Sequence, residues 1–295
     1  MQLIIFGTGI AGRAIYREKS IKHNIIAFIE NNNSLHNSYY DKKVILPVEQ
    51  CKNLSFDKIV LSGVWAETMS KQLLDLGISE DKIWHIPDNE LNFSTKSRIE
   101  ETDDIIKELS LLFKEANISY AIEGSSLLSL LRGNNLSAVP DVDILIKSQK
   151  DFQLIWKLIQ NSVLLQKQKL TKVIYKKNRI LTKKGEIDKI IIKSQVDERL
   201  REPTVIDINL AVDIGNYYIM DYSDDYYLYF NKEYVDGENI FKYKDMQLLI
   251  PYREEEYVTL LYGKEWKEPA KKWSFLDYSN LLNSNQLLQF MEKQR

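Results

Sequence analysis

Asp141 and Asp143 form an Asp-x-Asp pair at the mouth of the apolar run Val142-Asp143-Ile144-Leu145-Ile146. Alternate residues of a strand share a face, so the two carboxylates converge. Asp207 is an isolated acid inside a second β-type run, Val205 to Leu210. Burying that acid alone is unfavourable; a cation shared with the other two accounts for it. Carboxylate oxygens suit Mg²⁺ or Mn²⁺, which also take phosphate oxygens. Upstream, Gly124-Ser125-Ser126 opens a helix and offers amides and hydroxyls to a phosphate. Arg132 adds positive charge. The chemistry these residues suit is attack of a hydroxyl on phosphorus in a metal-held nucleotide. The bland alternative makes Asp141 and Asp143 turn acids beside Pro140 and Asp207 a surface strand position.

A second candidate site lies near the start. Gly7, Gly9 and Gly12 make a GxGxxG directly after the apolar run Leu3-Ile4-Ile5-Phe6. The first glycine permits a tight turn, the second a close phosphate, the third close packing of helix on sheet. Glu30 ends the next apolar run, where a ribose-binding acid belongs. A nucleotide is therefore the expected ligand of this loop, with glycines that serve packing alone as the alternative. No catalytic His or Lys–Tyr pair follows, which argues against hydride transfer.

The elements that must hold these residues fall into two stretches. Residues 1–90 alternate strand and helix: runs at Leu3–Phe6, Asn24–Ile29, Lys43–Pro47 and Lys58–Ser62, with helices at Arg13–Lys22 and Ala66–Leu76. That alternation predicts an α/β unit, a Rossmann-like parallel sheet. Residues 91–295 begin with an amphipathic helix over Thr102–Glu115. They continue with β runs at Lys172–Lys177, Lys189–Lys193 and Val205–Asp213, the grammar of an α+β domain. The Lys176, Lys177, Arg179, Lys183, Lys184 run reads as a solvated hairpin.

Composition narrows the class. The chain has 295 residues, 44% hydrophobic and 28% charged, with formal charge −2, so no basic excess points to nucleic acid. One cysteine, Cys51, excludes an internal disulfide framework and a CxxC zinc site. No apolar stretch approaches the ~20 residues of a membrane span. The opening MQLIIFGTGIAG has no basic region before its apolar run, so a cytoplasmic setting is the expectation. A homo-oligomer is compatible with all of this.

Two resemblances add to the reading. Residues 1–90 resemble small Rossmann-like modules appended to sugar-modifying and surface-polysaccharide enzymes, which implies a nucleotide or nucleotide-sugar pocket or a docking role. The Gly-Ser turn, Asp-x-Asp and distant Asp resemble the nucleotidyltransferase superfamily. Near the C-terminus stand Leu249-Ile250-Pro251 and Tyr257-Val258-Thr259-Leu260-Leu261-Tyr262-Gly263-Lys264-Glu265-Trp266-Lys267-Glu268-Pro269. With Gly124 placed 17 and 19 residues before the paired acids, and Ile206-Asp207-Ile208 as the aspartate strand, residues 100–275 resemble the LicD-type phosphotransferases, the family that includes fukutin. Ala138, Val139 and Pro140 stand where that family has Trp and further acids, and Arg132 is displaced by one position.

The LicD resemblance implies a nucleotidyltransferase-fold catalytic domain. It implies Mg²⁺-dependent transfer of a phospho-alcohol, such as phosphocholine or ribitol phosphate, from a CDP-linked donor. The acceptor is a sugar hydroxyl in surface glycan synthesis, and CMP leaves. The alternatives are transfer of NMP from an NTP to a small acceptor, and a non-catalytic nucleotide sensor. All three histidines (His23, His36, His85) precede the second stretch. Either a carboxylate then serves as base, with Asp207 the candidate and Asp213 the reserve, or the metal lowers the hydroxyl's pKa. Tyr262, Trp266 and Trp273 either stack on base or sugar or belong to the core; Trp266 is the one carried forward as substrate-binding.

Overall fold

The computed structural model describes residues 1–295 except 64, 88–89, 196–201, 224, 238, 269–273 and 295. The chain divides into two units. The first holds Met1–Thr95 with Glu202 and Pro203; the second holds Lys96–Gln195 and Thr204–Arg295.

The first unit runs β1 (Gln2–Phe6), α1 (Ile10–Lys19), β2 (Asn24–Glu30), β3 (Tyr39–Tyr40), β4 (Lys43–Pro47), β5 (Lys58–Leu61), α2 (Ala66–Asp75) and β6 (Ile83–His85). The strands form one sheet in the order β3-β4-β2-β1-β5-β6. Pairing is parallel except for β3 on β4. The strands read as continuous apolar runs because both faces are covered. Leu3 and Ile5 of β1 join Ala14 and Ile15 of α1 in one core cluster. Ile4 and Phe6 join Ala66 and Leu73 of α2 in the other. Strand order reverses at β1, between β2 and β5, which opens a crevice at the carboxyl ends of the strands. The first helix starts at Ile10, earlier than Arg13, because Gly9 is its N-cap and the glycine loop itself feeds the helix.

The second unit runs α3 (Lys96–Glu115), β7 (Tyr120–Glu123), α4 (Gly124–Leu131), β8 (Val142–Ile146), α5 (Gln149–Asn161), β9 (Lys169–Ile174), β10 (Ile187–Lys193), β11 (Val205–Ile214), β12 (Tyr217–Ser223), β13 (Tyr226–Asn231), α6 (Lys232–Asp236), β14 (Asn239–Tyr243), β15 (Met246–Ile250), α7 (Glu254–Tyr262), β16 (Leu281–Asn283) and α8 (Ser284–Lys293). Ile105, Ile106, Leu109 and Phe113 recur at helical spacing and are buried along α3. Asn117 closes that helix at φ 53°, with the Ile118 amide donating to the Phe113 carbonyl at 2.8 Å. The main sheet runs β16-β13-β12-β11-β10-β9, with β8 also on β11 and β7 on β8. β8 and β11 are parallel; β7 on β8 and β10 on β11 are antiparallel.

Alternation along these strands sorts the side chains. Val142, Ile144 and Ile146, Ile206 and Ile208, and Ile190 and Ile192 are all 1% exposed or less and belong to one apolar core. Helix α5 packs on β8, β10 and β11 and adds Phe152, Ile155 and Ile159 to that core. The intervening positions carry Asp143, Asp207, Asn209 and Lys189 and so share the opposite face. Among the described residues no helix is long and apolar enough to cross a membrane.

Candidate metal centre

Parallel register sets Asp143 of β8 directly beside Asp207 of β11. Antiparallel register sets Glu123 of β7 beside Asp143. Asp141 precedes β8 by one residue. One ligand oxygen from each of Asp141, Asp143 and Asp207 lies within 4.8 Å of the others. The structure therefore brings together the three acids expected to meet. Asp207 is 8% exposed, not a surface strand position, and its Oδ1 is buried with no hydrogen-bond partner.

Electrostatics state the same conflict. Burial, and then the neighbouring Asp207 charge, pushes the Asp141 carboxyl up. Burial, and then Asp141, Glu123 and Asp207, pushes Asp143 well above the carboxylate range. Burial pushes Glu123 up to about 6, although the Tyr257 hydroxyl and the Gly124 amide pull the other way. Lys189 supplies the cluster's nearest cation, with Nζ 2.7 Å from Asp207 Oδ2. Its ammonium is held above its ordinary range: burial opposes this, but Asp207, Asp143 and Asp141 prevail. One lysine leaves three carboxylates in excess. An orphaned buried oxygen, hard ligands and surplus negative charge fit a divalent cation.

The supporting contacts are specific. The Asp143 amide donates to Ser126 Oγ at 2.9 Å, and that hydroxyl donates to the Asp141 carbonyl at 3.3 Å. Asn209 Nδ2 donates to Asp143 Oδ1 at 3.2 Å. Gly124 sits at φ +61°, and a Cβ there would meet Asp143 Oδ2 at 3.2 Å. Only glycine combines that backbone with that approach. Arg98 is 1% exposed and donates to the carbonyls of Ser137, Val139 and Pro140, fixing the loop that delivers Asp141.

Several expected contacts take another form. Ser126, expected on a phosphate, has its hydroxyl committed between Asp141 and Asp143 and is fully buried. Ser125 is half-buried and makes no hydrogen bond through its side chain among the described residues, so it remains open to a ligand. Arg132, expected to add charge for a phosphate, instead donates from Nε to the Trp266 carbonyl at 2.8 Å and from Nη2 to the Glu268 carbonyl at 3.0 Å. It straps α4 to the segment after α7. Trp266 is 5% exposed and part of the core, so its ring is not a stacking surface. Tyr262 is half-buried, with its hydroxyl 3.1 Å from that of Tyr278. Trp273 and Pro269 lie outside the described residues. Asp213, the reserve base, lies six residues along β11 from Asp207, ~20 Å away, and pairs with Lys232 at 2.6 Å.

Residues without a predicted role also belong to the site. Lys189 and Asn209 are adjacent partners across β10 and β11; a lysine and an asparagine within isoleucine-rich strands are the signal that marks them. Tyr222 of β12 is 37% exposed, and burial followed by Asp143, Asp141 and Glu123 pushes its hydroxyl up to about 12. Its ring lies 5.7 Å from that of Phe275.

The glycine loop of the first unit has a different character. Gly7 turns at φ +91° and its amide donates to the Ile29 carbonyl. A Cβ on Gly12 would sit 2.0 Å from the Gly7 carbonyl oxygen, whereas one on Gly9 would meet nothing within 4 Å. Glu30, expected on a ribose, accepts the Thr8 amide at 2.9 Å and the Thr8 hydroxyl at 2.8 Å on one oxygen. Its other oxygen accepts the amides of Asn31 and Asn32 at 2.8 and 3.2 Å. Burial would raise this carboxyl, but these hydrogen bonds outweigh it and hold it low. With its lone-pair sites filled, Glu30 is a brace of the loop, and the ribose role has no acceptor left to use.

Residues 1–84 match the family described as C2185-like, N-terminal. No curated protein matches the chain. Among solved structures it is similar to RSP, a Rex-family repressor, at 18% identity over 39% of this chain and 63% of that one, with a TM-score of 0.25. It is similar to the lincomycin-bound lincosamide antibiotic adenylyltransferase LnuA at 15% identity over 64% of this chain and 97% of that one, TM-score 0.34. It is similar to GenD2 from gentamicin A biosynthesis, in complex with NAD, at 8% identity over 99% of this chain and 92% of that one, TM-score 0.27. The chain thus spans less than two thirds of the length of the repressor.

Proposed function

We propose that the second unit is a divalent-cation-dependent transferase that moves a phosphorus group from a nucleotide donor to an acceptor hydroxyl. The observation that carries this reading is the meeting of Asp141, Asp143 and Asp207 on one sheet face, with one Asp207 oxygen buried and unpartnered. These three residues would hold a Mg²⁺ or Mn²⁺ ion. When bound, the ion neutralises charge on the phosphates and on the attacking oxygen. The Ser125 amide and hydroxyl at the start of α4 receive donor phosphate oxygens. Lys189 keeps Asp207 Oδ2 engaged, and the carboxylates of the cluster would take the proton of the attacking hydroxyl, whose acidity a bound ion would raise. The exposed Tyr222 ring stacks on the donor base.

Two donors share this geometry because both present a pyrophosphate linkage. Attack on the β-phosphorus of a CDP-alcohol transfers the phospho-alcohol and releases CMP, the reaction the LicD resemblance of residues 100–275 supports. Attack on the α-phosphorus of an NTP transfers NMP and releases pyrophosphate, the reaction the core metal geometry supports equally. The protein incubated with Mg²⁺ and either CDP-choline and CDP-ribitol or the four NTPs, with sugar acceptors, separates the two by the leaving group. Metal binding with no turnover on any donor would instead leave a nucleotide-sensing protein.

A further inference from the structure

We propose that the Lys189 ammonium stands in the place of a second divalent ion, so that the acid cluster takes one cation and not two. This rests on the metal reading above. Two-ion sites hold their metals ~3.5–4 Å apart, bridged by a shared carboxylate. Asp207 is the residue placed to bridge, but its two oxygens are unequal. Oδ2 receives Lys189 Nζ at 2.7 Å, whereas Oδ1 is buried and unpartnered. Asp143 divides in the same way. Its Oδ1 accepts Asn209 Nδ2 at 3.2 Å, and its Oδ2 faces Gly124. One oxygen on each strand is therefore already engaged by a protein donor, and one on each is left for a metal.

Strand register makes this a built arrangement. Lys189 pairs with Asn209 across β10 and β11, two residues along from Asp207 on the same face. A metal bonded to Asp207 Oδ2 would stand ~2.1 Å from that oxygen, in the space the ammonium fills. A dication and an ammonium in such proximity repel strongly in a buried site. The lysine ammonium is a compact point charge, so it can substitute for an ion. The Lys189 side chain as a whole is 34% exposed.

Mn²⁺ titration of the full chain at pH 7.5, read by electron paramagnetic resonance of free Mn²⁺, tests this in the wild type, Lys189→Met and Lys189→Arg. The expected stoichiometries are one ion, two ions and one ion. Two ions in the wild type overturn the proposal, as does a single ion of unchanged affinity in Lys189→Met. If Lys189→Met does not fold by circular dichroism, the wild type and Lys189→Arg decide it: one ion in each supports the proposal, and two in either overturns it. One bound ion without turnover on any nucleotide would remove the transferase reading and leave this inference standing; no bound ion at all removes both.

Discussion

Glu30 ends strand β2 of the first unit, whereas Asp141, Asp143 and Asp207 stand at the amino ends of the parallel strands β8 and β11, and the two units treat their acids oppositely. Glu30 receives four donors, two from Thr8 and one each from Asn31 and Asn32. Asp207 receives one lysine and keeps a buried oxygen with no partner, beside two further carboxylates. A satisfied acid braces its loop. An unsatisfied buried acid carries a free-energy penalty that protonation or a bound cation removes. The difference separates architecture from chemistry more sharply than the motifs do, because both units carry a glycine turn before a helix.

Substitutions sharpen this contrast, the largest effect first. Asp143→Asn is expected to lower turnover by at least two orders of magnitude, on the order of 3 kcal/mol, while the ion-free protein melts no lower than wild type because a repulsive charge is gone. A large loss of melting temperature would place Asp143 with the braces. Gly12→Ala is expected to destabilise the first unit by about 3 kcal/mol, since its Cβ meets rigid backbone at 2.0 Å. Gly9→Ala has open space, and its denaturant midpoint should stay close to wild type.

The next effect is on pH. The Glu123 carboxyl rises from its ordinary 4.5 to about 6 in the folded chain. A raised carboxyl contributes stability that is fully present below the unfolded value and lost as pH climbs through the folded one. The ion-free protein should therefore lose about 2 kcal/mol between pH 4.5 and 7 from this group, with Asp141 and Asp143 acting in the same direction. Saturating Mg²⁺ should flatten the curve, as urea midpoints across pH will show. A stability that rises over this window would contradict the buried-acid account. A comparable or smaller effect belongs to Glu30→Gln, expected to cost about 1–2 kcal/mol and to leave metal affinity unchanged. A fall in metal affinity there would erase the distinction between the two units.

The acids that meet in the cluster were legible in the sequence because their signals are local. Asp-x-Asp before an apolar run and a lone Asp within another both report on their own strands, and parallel pairing does the rest. The strands of the first unit's parallel sheet, β8, β10, β11 and the glycine loops were legible for the same reason, whereas β7 and β12 to β16 were not read as strands. Lys189 was not, because its place beside Asp207 depends on the register of β10 against β11, which no short stretch encodes. Arg132, Ser126 and Trp266 show the same limit: their types suit phosphate or base, but tertiary contacts with Trp266 and Glu268, with Asp141 and Asp143, and with the core had claimed them. Glu30 sat where a ribose acid belongs, and only the turn of Thr8 and Asn31-Asn32 around it revealed that it was filled.

Calorimetric titration of Mg²⁺ into the full chain at pH 7.5, beside Asp207→Asn, tests the acid cluster most directly. Saturable binding in the wild type that disappears in the variant, with both proteins folded, is the predicted result. Equal binding in the two, or heat of dilution alone in both, would contradict it.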